Sequence, residues 1–302
     1  MMRKIRLLVP IASLLLLAAA CGGGTTAGNA PSGGGGGEAS DGGGGGGDLL
    51  AAIEQRGVMR ASTDPAYPPQ SSQNAQGEYV GFDIDVVEEI GKRLGVDVEY
   101  VTPSWDAITA GGWGGRWDIA VGSITITPER AKGLLFTTPY YYTPASIAVH
   151  ESNSDIQDVA NDLDGKSIGV CGACSYESYL NKDLRFPGQG EVEYVIDDAQ
   201  VQTYNTDTTA IQDLALGDGV RLDAVLSALP TLEGAIEKDV PIKVVGDPVF
   251  NEPLAVAVDK SAPQDPQAFF EDVDRIVQEM HEDGTLTRFS EKWYGEDITK
   301  EL

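Results

Sequence analysis

Three hydroxyl side chains and an arginine follow an apolar run near the middle of the chain. The run (119–121) is typical of a buried strand, and after it come Ser123, Thr125, Thr127 and Arg130. A strand that leads into the N-terminus of a helix presents unpaired N–H groups, with the positive end of the helix dipole behind them. An arginine side chain can hold a carboxylate with two parallel hydrogen bonds. These residue types at this spacing therefore predict a binding site for an anion, in particular a carboxylate.

The neighbouring residues predict how this site is built. The strand is expected to end at Gly122, and a short helix is expected to follow, with Thr127 as its N-cap and Pro128 at the first helical position. Arg130 would then lie one turn inside the helix. The alternative interpretation is an ordinary capped helix whose arginine pairs with an acidic residue at the surface.

The first twenty residues have the order of an export signal. Basic residues precede an apolar run that is shorter than the ~20 residues needed to cross a bilayer, and the run ends in three alanines before Cys21. This order is typical of a secretory signal peptide. Because a cysteine after small residues resembles a lipobox, we expect residues 1–20 to be removed and Cys21 to be lipidated. A signal peptide that is cleaved without lipidation is the alternative.

Residues 21–47 consist largely of glycine and predict a flexible tether with an average reach of roughly 25–30 Å. The folded part is therefore expected outside the cytoplasm, in the periplasm or at the cell surface, and anchored to the cell membrane by the N-terminal lipid.

The chain has a formal net charge of −26. A surface with this charge repels nucleic acid and anionic lipid, so neither is expected as a partner.

Strand and helix signals alternate from residue 48 to the C-terminal end. Strands are predicted at 58–63, 96–101, 119–121, 146–150, 167–171, 191–196, 222–226, 242–245 and 254–259. Helices are predicted at 48–57, 81–95, 156–163, 176–184, 208–217, 230–238, 267–283 and 286–293, with a further short helix capped by Ser104. This alternation predicts parallel α/β sheets that bind ligands at the carboxyl ends of their strands. Linking strands near 140–144 and 250–254 suggest two lobes around a cleft.

Fourteen consecutive residues, GFDIDVVEEIGKRL (81–94), closely resemble the signature of family 3 solute-binding proteins of ABC importers, the polar amino-acid group. Four shorter segments also match this family: 63–69, 123–130, 136–141 and 292–295. The resemblance covers residues 49–302. It implies a type II periplasmic-binding-protein fold, in which two mixed sheets flanked by helices form two lobes that are joined by two crossing strands. The first lobe would comprise residues 48–141 and 253–302, and the second lobe residues 142–252.

The function that the resemblance implies is ligand binding rather than catalysis. The chain would be the lipid-anchored substrate-binding component of an ABC importer, binding a polar amino acid or related small zwitterion by cleft closure. It would deliver this ligand to a membrane permease with its ATPase. A monomer without cofactor or metal is expected.

The resemblance also assigns the anion site predicted above. Arg130 would hold the carboxylate of the ligand, assisted by the amide and the hydroxyl of Thr125. The carbonyl of Ser123 would accept a hydrogen bond from the ammonium group.

Five further residues are assigned to the pocket in the same way. Tyr67 and Trp105 would form walls in the first lobe, and Asp64 would lie near the far end of the ligand. In the second lobe, the turn at Cys174 and Ser175 would offer backbone amides. The alternative for the two aromatic residues is core packing, but each follows a turn signal rather than lying within a strand.

One departure from the family concerns the ammonium group of the ligand. The family usually has an acid before the proline of the segment that reads DAVLSALP here, and this chain has Ala228. The usual ammonium-binding acid is therefore missing, and Asp64 is the predicted substitute. Asp207, which precedes a predicted helix, is interpreted as a helix cap.

A second departure is the pair Cys171 and Cys174, at a turn where the family usually has glycine and threonine. Three interpretations remain open. A structural disulfide fits an oxidising compartment and an even count, and it is preferred. A thioredoxin-like redox pair would need a strand order that the chain lacks. A zinc site would need two more ligands, and the two histidines, His150 and His281, do not have the spacing of metal ligands.

Two other functional classes compete with a transport function. An extracytoplasmic dehydratase of the same fold, acting on prephenate-like acids, would need a general acid or base in the pocket. Asp64 and Glu252 are the candidates in this chain. The extracellular sensor of a signalling receptor is the third class.

The glycine-rich segment 111–117 lacks the Gly-Lys-Ser/Thr of a phosphate-binding loop.

Overall fold

The computed structural model describes residues 46–188 and 190–301. The predicted signal peptide, the lipidation at Cys21 and nearly all of the predicted tether lie outside these residues. The strands are β1 (Gly46–Asp48), β2 (Val58–Ser62), β3 (Ala66–Tyr67), β4 (Ser71–Gln73), β5 (Tyr79–Val80), β6 (Asp97–Val101), β7 (Ile119–Thr125), β8 (Leu134–Phe136), β9 (Tyr141–His150), β10 (Lys166–Cys171), β11 (Ala199–Tyr204), β12 (Ala224–Ala228), β13 (Ile242–Asp259) and β14 (Gln264–Asp265). The helices are α1 (Leu49–Arg56), α2 (Phe82–Leu94), α3 (Trp105–Thr109), α4 (Val159–Asp162), α5 (Ser175–Leu180), α6 (Asp207–Leu214), α7 (Leu229–Ile236), α8 (Gln267–Glu282) and α9 (Thr285–Tyr294).

One sheet runs through the fold, in the strand order β11-β10-β12-β9-β13-β7-β2-β6, with β8 also paired to β13. Strand β10 is parallel to β11 and β12, and β2 is parallel to β6 and β7. Between these two parallel parts, β9 and β13 pair antiparallel over their length, from Ile242 opposite His150 to Leu254 opposite Tyr141. The two long strands therefore connect a first lobe, around β2, β6 and β7, with a second lobe, around β10, β11 and β12.

The first lobe has an apolar core between its strands and helices α1, α2, α8 and α9. Helix α2 begins directly after Gly81, whose φ is 142°. A Cβ atom at this position would lie 2.1 Å from the carbonyl oxygen of Gln70, so only glycine fits. The next residue, Phe82, is fully buried and packs against Tyr140 and Tyr141. The family signature therefore has a structural role, because it allows α2 to pack against the sheet.

The second lobe buries its central strand β12 on both faces. Leu226 belongs to an apolar core with residues of β10 and α5, whereas its neighbour Val225 belongs to a core with residues of α6 and α7. Adjacent residues of a strand point to opposite faces of the sheet. The second lobe is therefore a layer of strands between helices, as the alternation of sequence signals predicts.

The caps of the first two helices confirm the predicted boundaries. The carboxylate of Asp48 accepts a hydrogen bond of 2.8 Å from the amide of Leu50 at the start of α1. Gly57 and Gly95 end α1 and α2 in the left-handed conformation that glycine adopts without strain. Helices α8 and α9 also agree with the predictions to within two residues.

The predicted strand 191–196 is wrong, and the strand that pairs beside β10 is β11, at Ala199–Tyr204. The segment 191–196 alternates apolar and polar residues, but its hydrogen bonds are not those of a strand in the sheet. The amide of Val195 donates to the hydroxyl of Tyr179, and the hydroxyl of Tyr194 donates to the carbonyl of Leu184. The apolar side chains of this segment therefore pack on the core without joining the sheet.

Three further boundaries differ from the predictions. Strand β7 does not end at Gly122 but continues to Thr125, with an irregularity at Ser123, whose φ is 57°. The predicted helix after Thr127 is a single 3-10 turn at Arg130–Lys132 that begins after Glu129. The hydroxyl of Thr127 still accepts a hydrogen bond of 3.3 Å from the amide of Arg130, the contact expected of the predicted N-cap. The two strands predicted at 242–245 and 254–259 form one long strand, β13, whose register shifts between Val245 and Phe250.

Within residues 46–188 and 190–301, no helix combines the length and the apolar composition that crossing a membrane requires.

Candidate ligand-binding site

A small cavity of about 30 Å³ lies between the two lobes, at the carboxyl ends of β2, β7, β10 and β11. In a parallel sheet, the residues that follow the strands lie next to one another at this edge. The cavity is lined by residues of both lobes and of β13: Asp64, Tyr67, Trp105, Gly122, Ser123, Thr125, Cys171, Cys174, Ser175, Tyr176, Asn205, Thr206, Asp207 and Glu252.

The structure brings together seven of the eight residues predicted from the sequence to bind the ligand. Those that line the cavity are Asp64, Tyr67, Trp105, Ser123, Thr125, Cys174 and Ser175. The eighth, Arg130, is not among the lining residues and lies behind them. Ala228 is fully buried and does not line the cavity either.

Arg130 connects the two lobes. Its Nη1 donates a hydrogen bond of 2.9 Å to the carbonyl of Thr125, and its Nη2 donates one of 2.8 Å to the carbonyl of Ala173 in the second lobe. The guanidinium carbon lies 5.5 Å from the ring centre of Trp105. Burial lowers the pKa of Arg130 to about 10, although the charge of Glu252 opposes this shift. The arginine therefore stays charged at neutral pH and uses two of its five N–H donors.

Ser123 is held in its left-handed conformation by a buried network under the cavity. Its amide donates to the hydroxyl of Tyr140 at 3.0 Å, and its hydroxyl donates to Asp83 at 2.8 Å and also contacts the hydroxyl of Tyr141. The hydroxyl of Tyr140 donates to the same carboxylate at 2.6 Å. Burial raises the pKa of Asp83 to about 7. Asp83 belongs to the family signature, and its contact explains how a helix residue positions a residue of the cavity wall.

Glu252 accepts hydrogen bonds from hydroxyl groups of both lobes. Its carboxylate accepts hydrogen bonds of 2.6 Å from Thr125, 2.6 Å from Ser175 and 2.7 Å from Tyr176. The hydroxyl of Thr143 lies 3.4 Å away, on the strand β9 that pairs with β13. Glu252 is 2% exposed, so these donors replace the water that a carboxylate would otherwise bind. The hydroxyls of Thr125 and Ser175 are thus already engaged by a protein carboxylate.

Two more carboxylates face the cavity from opposite lobes. Asp64 follows β2 and accepts a hydrogen bond of 2.8 Å from the amide of Ala66. Asp207, at the start of α6, accepts one of 2.5 Å from the hydroxyl of Ser227. Burial raises the pKa of both groups, that of Asp207 to about 7, and the charge of Asp64 contributes to the shift at Asp207.

Asp207 corrects an interpretation of the sequence. The N-cap of α6 is Thr206, whose hydroxyl accepts a hydrogen bond from the amide of Thr209, so Asp207 is not the cap. Its carboxylate lies in the lining of the cavity instead. The signal that could have identified it is its place directly after a strand, but the strand was predicted at 191–196 rather than at Ala199–Tyr204. The other lining residues that were not predicted are Gly122, Tyr176, Asn205 and Thr206.

The turn after β10 is closed by a disulfide between Cys171 and Cys174, whose Cα atoms are 5.6 Å apart. Between them, Ala173 has a φ of 60°, and its carbonyl accepts hydrogen bonds from Arg130 and, at 3.3 Å, from Nε1 of Trp105. The sulfur atoms lie within 4.8 Å of a carboxylate oxygen of Asp207. Sulfurs that are joined to each other cannot serve as thiolate ligands, so this group does not fit a metal ion while the disulfide is intact.

Aromatic side chains form the walls of the cavity. The hydroxyl groups of Tyr67 and Tyr176, which belong to opposite lobes, are 3.4 Å apart. A second contact between the lobes joins the hydroxyl of Thr208 to the carbonyl of Ala66 at 2.6 Å. The two lobes therefore touch around the cavity, and aromatic side chains of both lobes line it.

The sequence and the fold place the chain among known proteins. Residues 59–296 match the family described as bacterial extracellular solute-binding proteins, family 3. The L-cystine-binding protein TcyJ of Escherichia coli (strain K12) is 31% identical over 253 residues, which are 83% of this chain and 88% of TcyJ. The histidine-binding periplasmic protein of Salmonella typhimurium (strain LT2) is 30% identical over 251 residues, 82% of this chain and 91% of that protein.

Solved structures agree with this assignment. The ancestral amino acid-binding protein AncCDT-1, described as a precursor of cyclohexadienyl dehydratase, superimposes with a TM-score of 0.70 at 29% identity, over 82% of this chain and 100% of that one. An ancestral arginine-binding protein, solved with glutamine and with arginine, gives a TM-score of 0.68 at 30% identity, over 80% of this chain and 99% of that one. The chain belongs to the family 3 bacterial extracellular solute-binding proteins, of the amino-acid-binding type.

Proposed function

We propose that this chain is the lipid-anchored substrate-binding component of an ABC importer, which binds a polar amino acid or a related small zwitterion and delivers it to a membrane permease and its ATPase. The observation that carries the proposal is the cavity between the lobes, which combines polar groups of both lobes with those of the connecting strand β13. A ligand in this position would contact both lobes at once. Relatives named for binding histidine and L-cystine support an amino acid as the ligand.

The proposed mechanism is closure of the two lobes around the ligand. A ligand stabilises the closed form only by the difference between its affinities for the closed and open forms. Contacts that exist only when the lobes meet, such as those to Ser175 and Tyr176 on one side and Tyr67 on the other, provide that difference. The lobe boundaries that we propose are 48–141 with 253–302 for the first lobe and 142–252 for the second. They are supported by the antiparallel pairing of β9 and β13 where the chain passes between the lobes.

The site residues remain part of this proposal. We propose that Arg130 and the amide of Thr125 hold the carboxylate of the ligand and that the carbonyl of Ser123 accepts from its ammonium group. With the described residues, Arg130 uses two of its five N–H donors, and the three that remain support its role. Because Glu252 already engages the hydroxyl of Thr125, that hydroxyl would become available only if Glu252 moved.

A thermal-shift screen of the purified protein against amino acids, amines and compatible solutes tests the function, with calorimetry on each hit. A ligand that binds only the folded protein raises its stability by RT ln(1 + [L]/Kd), about 2.7 kcal/mol at a hundredfold excess over Kd. We expect at least one polar amino acid to do so. A screen in which no amino acid shifts the melting temperature, although the protein is folded, contradicts the proposal.

The anchor and the location are proposed from the sequence of residues 1–21 alone. If Cys21 is lipidated, the protein should sediment with membranes and incorporate labelled fatty acid. The variant Cys21→Ser should appear in the soluble extracytoplasmic fraction without label. Release of the wild-type protein in the same fraction would instead support cleavage of a plain signal peptide.

An enzyme on the same scaffold is the second candidate function. The specific observation in its favour is Asp207, a carboxyl group in the cavity whose pKa is raised by burial to about 7, as a general acid or base at neutral pH requires. AncCDT-1, one of the similar structures, is described as a precursor of a dehydratase. Incubation with prephenate, followed by chromatography of the products, distinguishes the two functions. We expect no conversion above the rate without protein.

A further inference from the structure

We propose that Asp64 and Asp207 form a cation clamp, in which one carboxylate from each lobe binds a positively charged group of the ligand. The ligand would then be an amino acid that carries positive charge in addition to its α-ammonium group. This inference rests on the proposed function, because it names the class of amino acid that the cavity accepts.

The charges that line the cavity are all negative. Its ionisable acidic side chains are Asp64, Asp207 and Glu252, and no lysine, arginine or histidine is among the lining residues of the described chain. A buried carboxylate that lacks a partner is costly, because the protein interior does not replace its hydration. Glu252 and Asp207 are buried and Asp64 is partly buried, so each of the three carboxylates is examined for the partners that it has.

Glu252 is the carboxylate that the protein itself compensates. It accepts three hydrogen bonds of 2.6–2.7 Å from hydroxyl groups. The positive charge of Arg130 is close enough for Glu252 to influence the pKa of the arginine. Glu252 thus needs no ligand to balance it.

Asp64 and Asp207 have far fewer partners. The only hydrogen bond that Asp207 receives from another residue of the described chain comes from Ser227, and Asp64 receives one from the amide of Ala66. Neither forms a salt bridge with a described residue. Asp207 is 6% exposed. Because these two acids belong to opposite lobes and repel each other, closing the cleft brings like charges together.

A cationic group between the two acids removes this repulsion. Its attraction to both carboxylates exists in full only when the lobes are closed, so it contributes the difference in affinity that closure needs. A neutral zwitterion brings one ammonium and one carboxylate and leaves the pair uncompensated. An ammonium or guanidinium group on the side chain adds the missing positive charge.

The geometry favours an organic cation over a metal ion. The oxygen atoms of Asp64, Asp207 and Glu252 do not all lie within 4.8 Å of one another, as they would around a single ion. The walls between them include the rings of Tyr67, Trp105 and Tyr176. Aromatic faces attract ammonium and guanidinium groups and pack against the methylene groups that carry them.

The test compares cationic amino acids with neutral ones of the same length. The purified protein is titrated calorimetrically with L-arginine and L-citrulline, and with L-lysine and L-2-aminoheptanoic acid. For at least one pair, we expect the cationic member to bind at least about 30-fold more tightly, the factor that corresponds to losing one partner of a buried charge pair. This comparison uses the wild-type protein and does not depend on the folding of a variant.

Two variants then locate the effect. In Asp64→Asn and in Asp207→Asn, the ratio of the two affinities should fall at least about tenfold, because each keeps the shape of the side chain and removes its charge. Asp97→Asn in the first lobe and Asp247→Asn in the second, both exposed, are matched controls that should keep the wild-type ratio.

The outcomes separate the clamp from the function on which it rests. A ratio near one in the wild-type protein, or a ratio that neither cavity variant lowers, overturns the clamp. A protein that binds a neutral amino acid from the screen but neither arginine nor lysine also overturns the clamp, while its function as an amino-acid-binding protein stands. If no amino acid binds, both proposals fail.

Discussion

The guanidinium of Arg130 reaches across the cleft and donates a hydrogen bond of 2.8 Å to the backbone carbonyl of Ala173. The same carbonyl accepts from the indole of Trp105, so two side chains of the first lobe meet at one atom of the second. The carbonyl is available because Ala173 has a positive φ inside the loop closed by Cys171 and Cys174. The arginine predicted to bind the ligand therefore also joins the lobes. A ligand carboxylate must use its remaining donors or compete with Ala173.

Replacing Arg130 with methionine should weaken amino-acid binding by ~2–5 kcal/mol, the usual cost of truncating one partner of a buried charge pair. Calorimetry with the ligand found in the screen measures this loss. Arg221→Met, whose side chain is 62% exposed in the second lobe, is the control and should bind normally. Wild-type affinity in Arg130→Met would remove Arg130 from the binding site.

The cysteine pair is expected to be oxidised in the mature protein. Alkylation without reductant should add no mass at Cys171 or Cys174, and alkylation after reduction under denaturing conditions should label both. Two labels without reductant would exclude the disulfide. Because the loop is short, reduction should cost less than the ~3 kcal/mol expected for a loop of fifteen residues. Reduction should affect ligand binding more, since it frees the turn that presents Ala173 to the other lobe.

Asp207→Asn should stabilise the protein at pH 8. The pKa of Asp207 is about 7 in the folded protein, above the ordinary value of ~3.9 for an aspartate. Between these values the folded state binds more protons than the unfolded state, so stability falls as the pH rises from about 4 to about 7 and is then constant. Removing this buried charge should raise the melting temperature at pH 8 by at least ~2 °C, with no gain at pH 4.

The control for this prediction is Asp247→Asn, which should leave the melting temperature unchanged at both pH values. A residual pH dependence is expected in Asp207→Asn, because burial also raises the pKa of Asp83 to about 7. A melting temperature at pH 8 that is unchanged or lower would show that Asp207 is compensated in the folded protein.

The titration of Asp207 also predicts how ligand affinity depends on pH. The charged groups that face Asp207 are Asp64, Glu252 and, behind Glu252, Arg130, with Ser227 as its hydrogen-bond donor. A cationic ligand prefers the ionised carboxylate, so its affinity should rise with pH up to about 7 and then level off. Calorimetric titrations between pH 5 and 8 measure this. The slope should be reduced in Asp207→Asn, and an identical slope in the variant would assign the effect to another group.

Tyr140→Phe should destabilise the first lobe. The hydroxyl of Tyr140 donates to Asp83 and accepts from the amide of Ser123. Its loss leaves the buried amide of Ser123 without this partner, at a cost of ~1–3 kcal/mol, and removes one of the two hydrogen bonds that Asp83 accepts from Tyr140 and Ser123. Denaturant unfolding measures the free energy of unfolding. The matched control is Tyr142→Phe, two residues further along the chain in β9, where the side chain is only partly buried. Equal stability of the two variants would contradict this account of how Ser123 is positioned.

The sequence alone determined the fold class, the main helices and most of the residues around the cavity. These features depend on local patterns. An apolar periodicity or a helix cap, such as Asp48 or Gly95, depends only on residues that are close in the sequence. A glycine where two backbone segments approach closely, such as Gly81, is also visible in the sequence itself. The resemblance to the family implies that Asp64, Trp105 and Ser175 lie around the pocket, and this agrees with a sheet whose parallel strands bring their carboxyl ends together.

Only the tertiary structure decided which polar groups meet. The segment 191–196 has the alternation of a strand, but the amide of Val195 donates to the hydroxyl of Tyr179 instead of to a neighbouring strand. That competition from a distant side chain is invisible in the local pattern. As a consequence, Asp207 could not be recognised as a residue at a strand end. Arg130 and Glu252 each have a partner in the other lobe, dozens of residues away in the chain. Their pairing and the isolation of Asp64 and Asp207 follow from burial and charge in three dimensions, which sequence spacing does not contain.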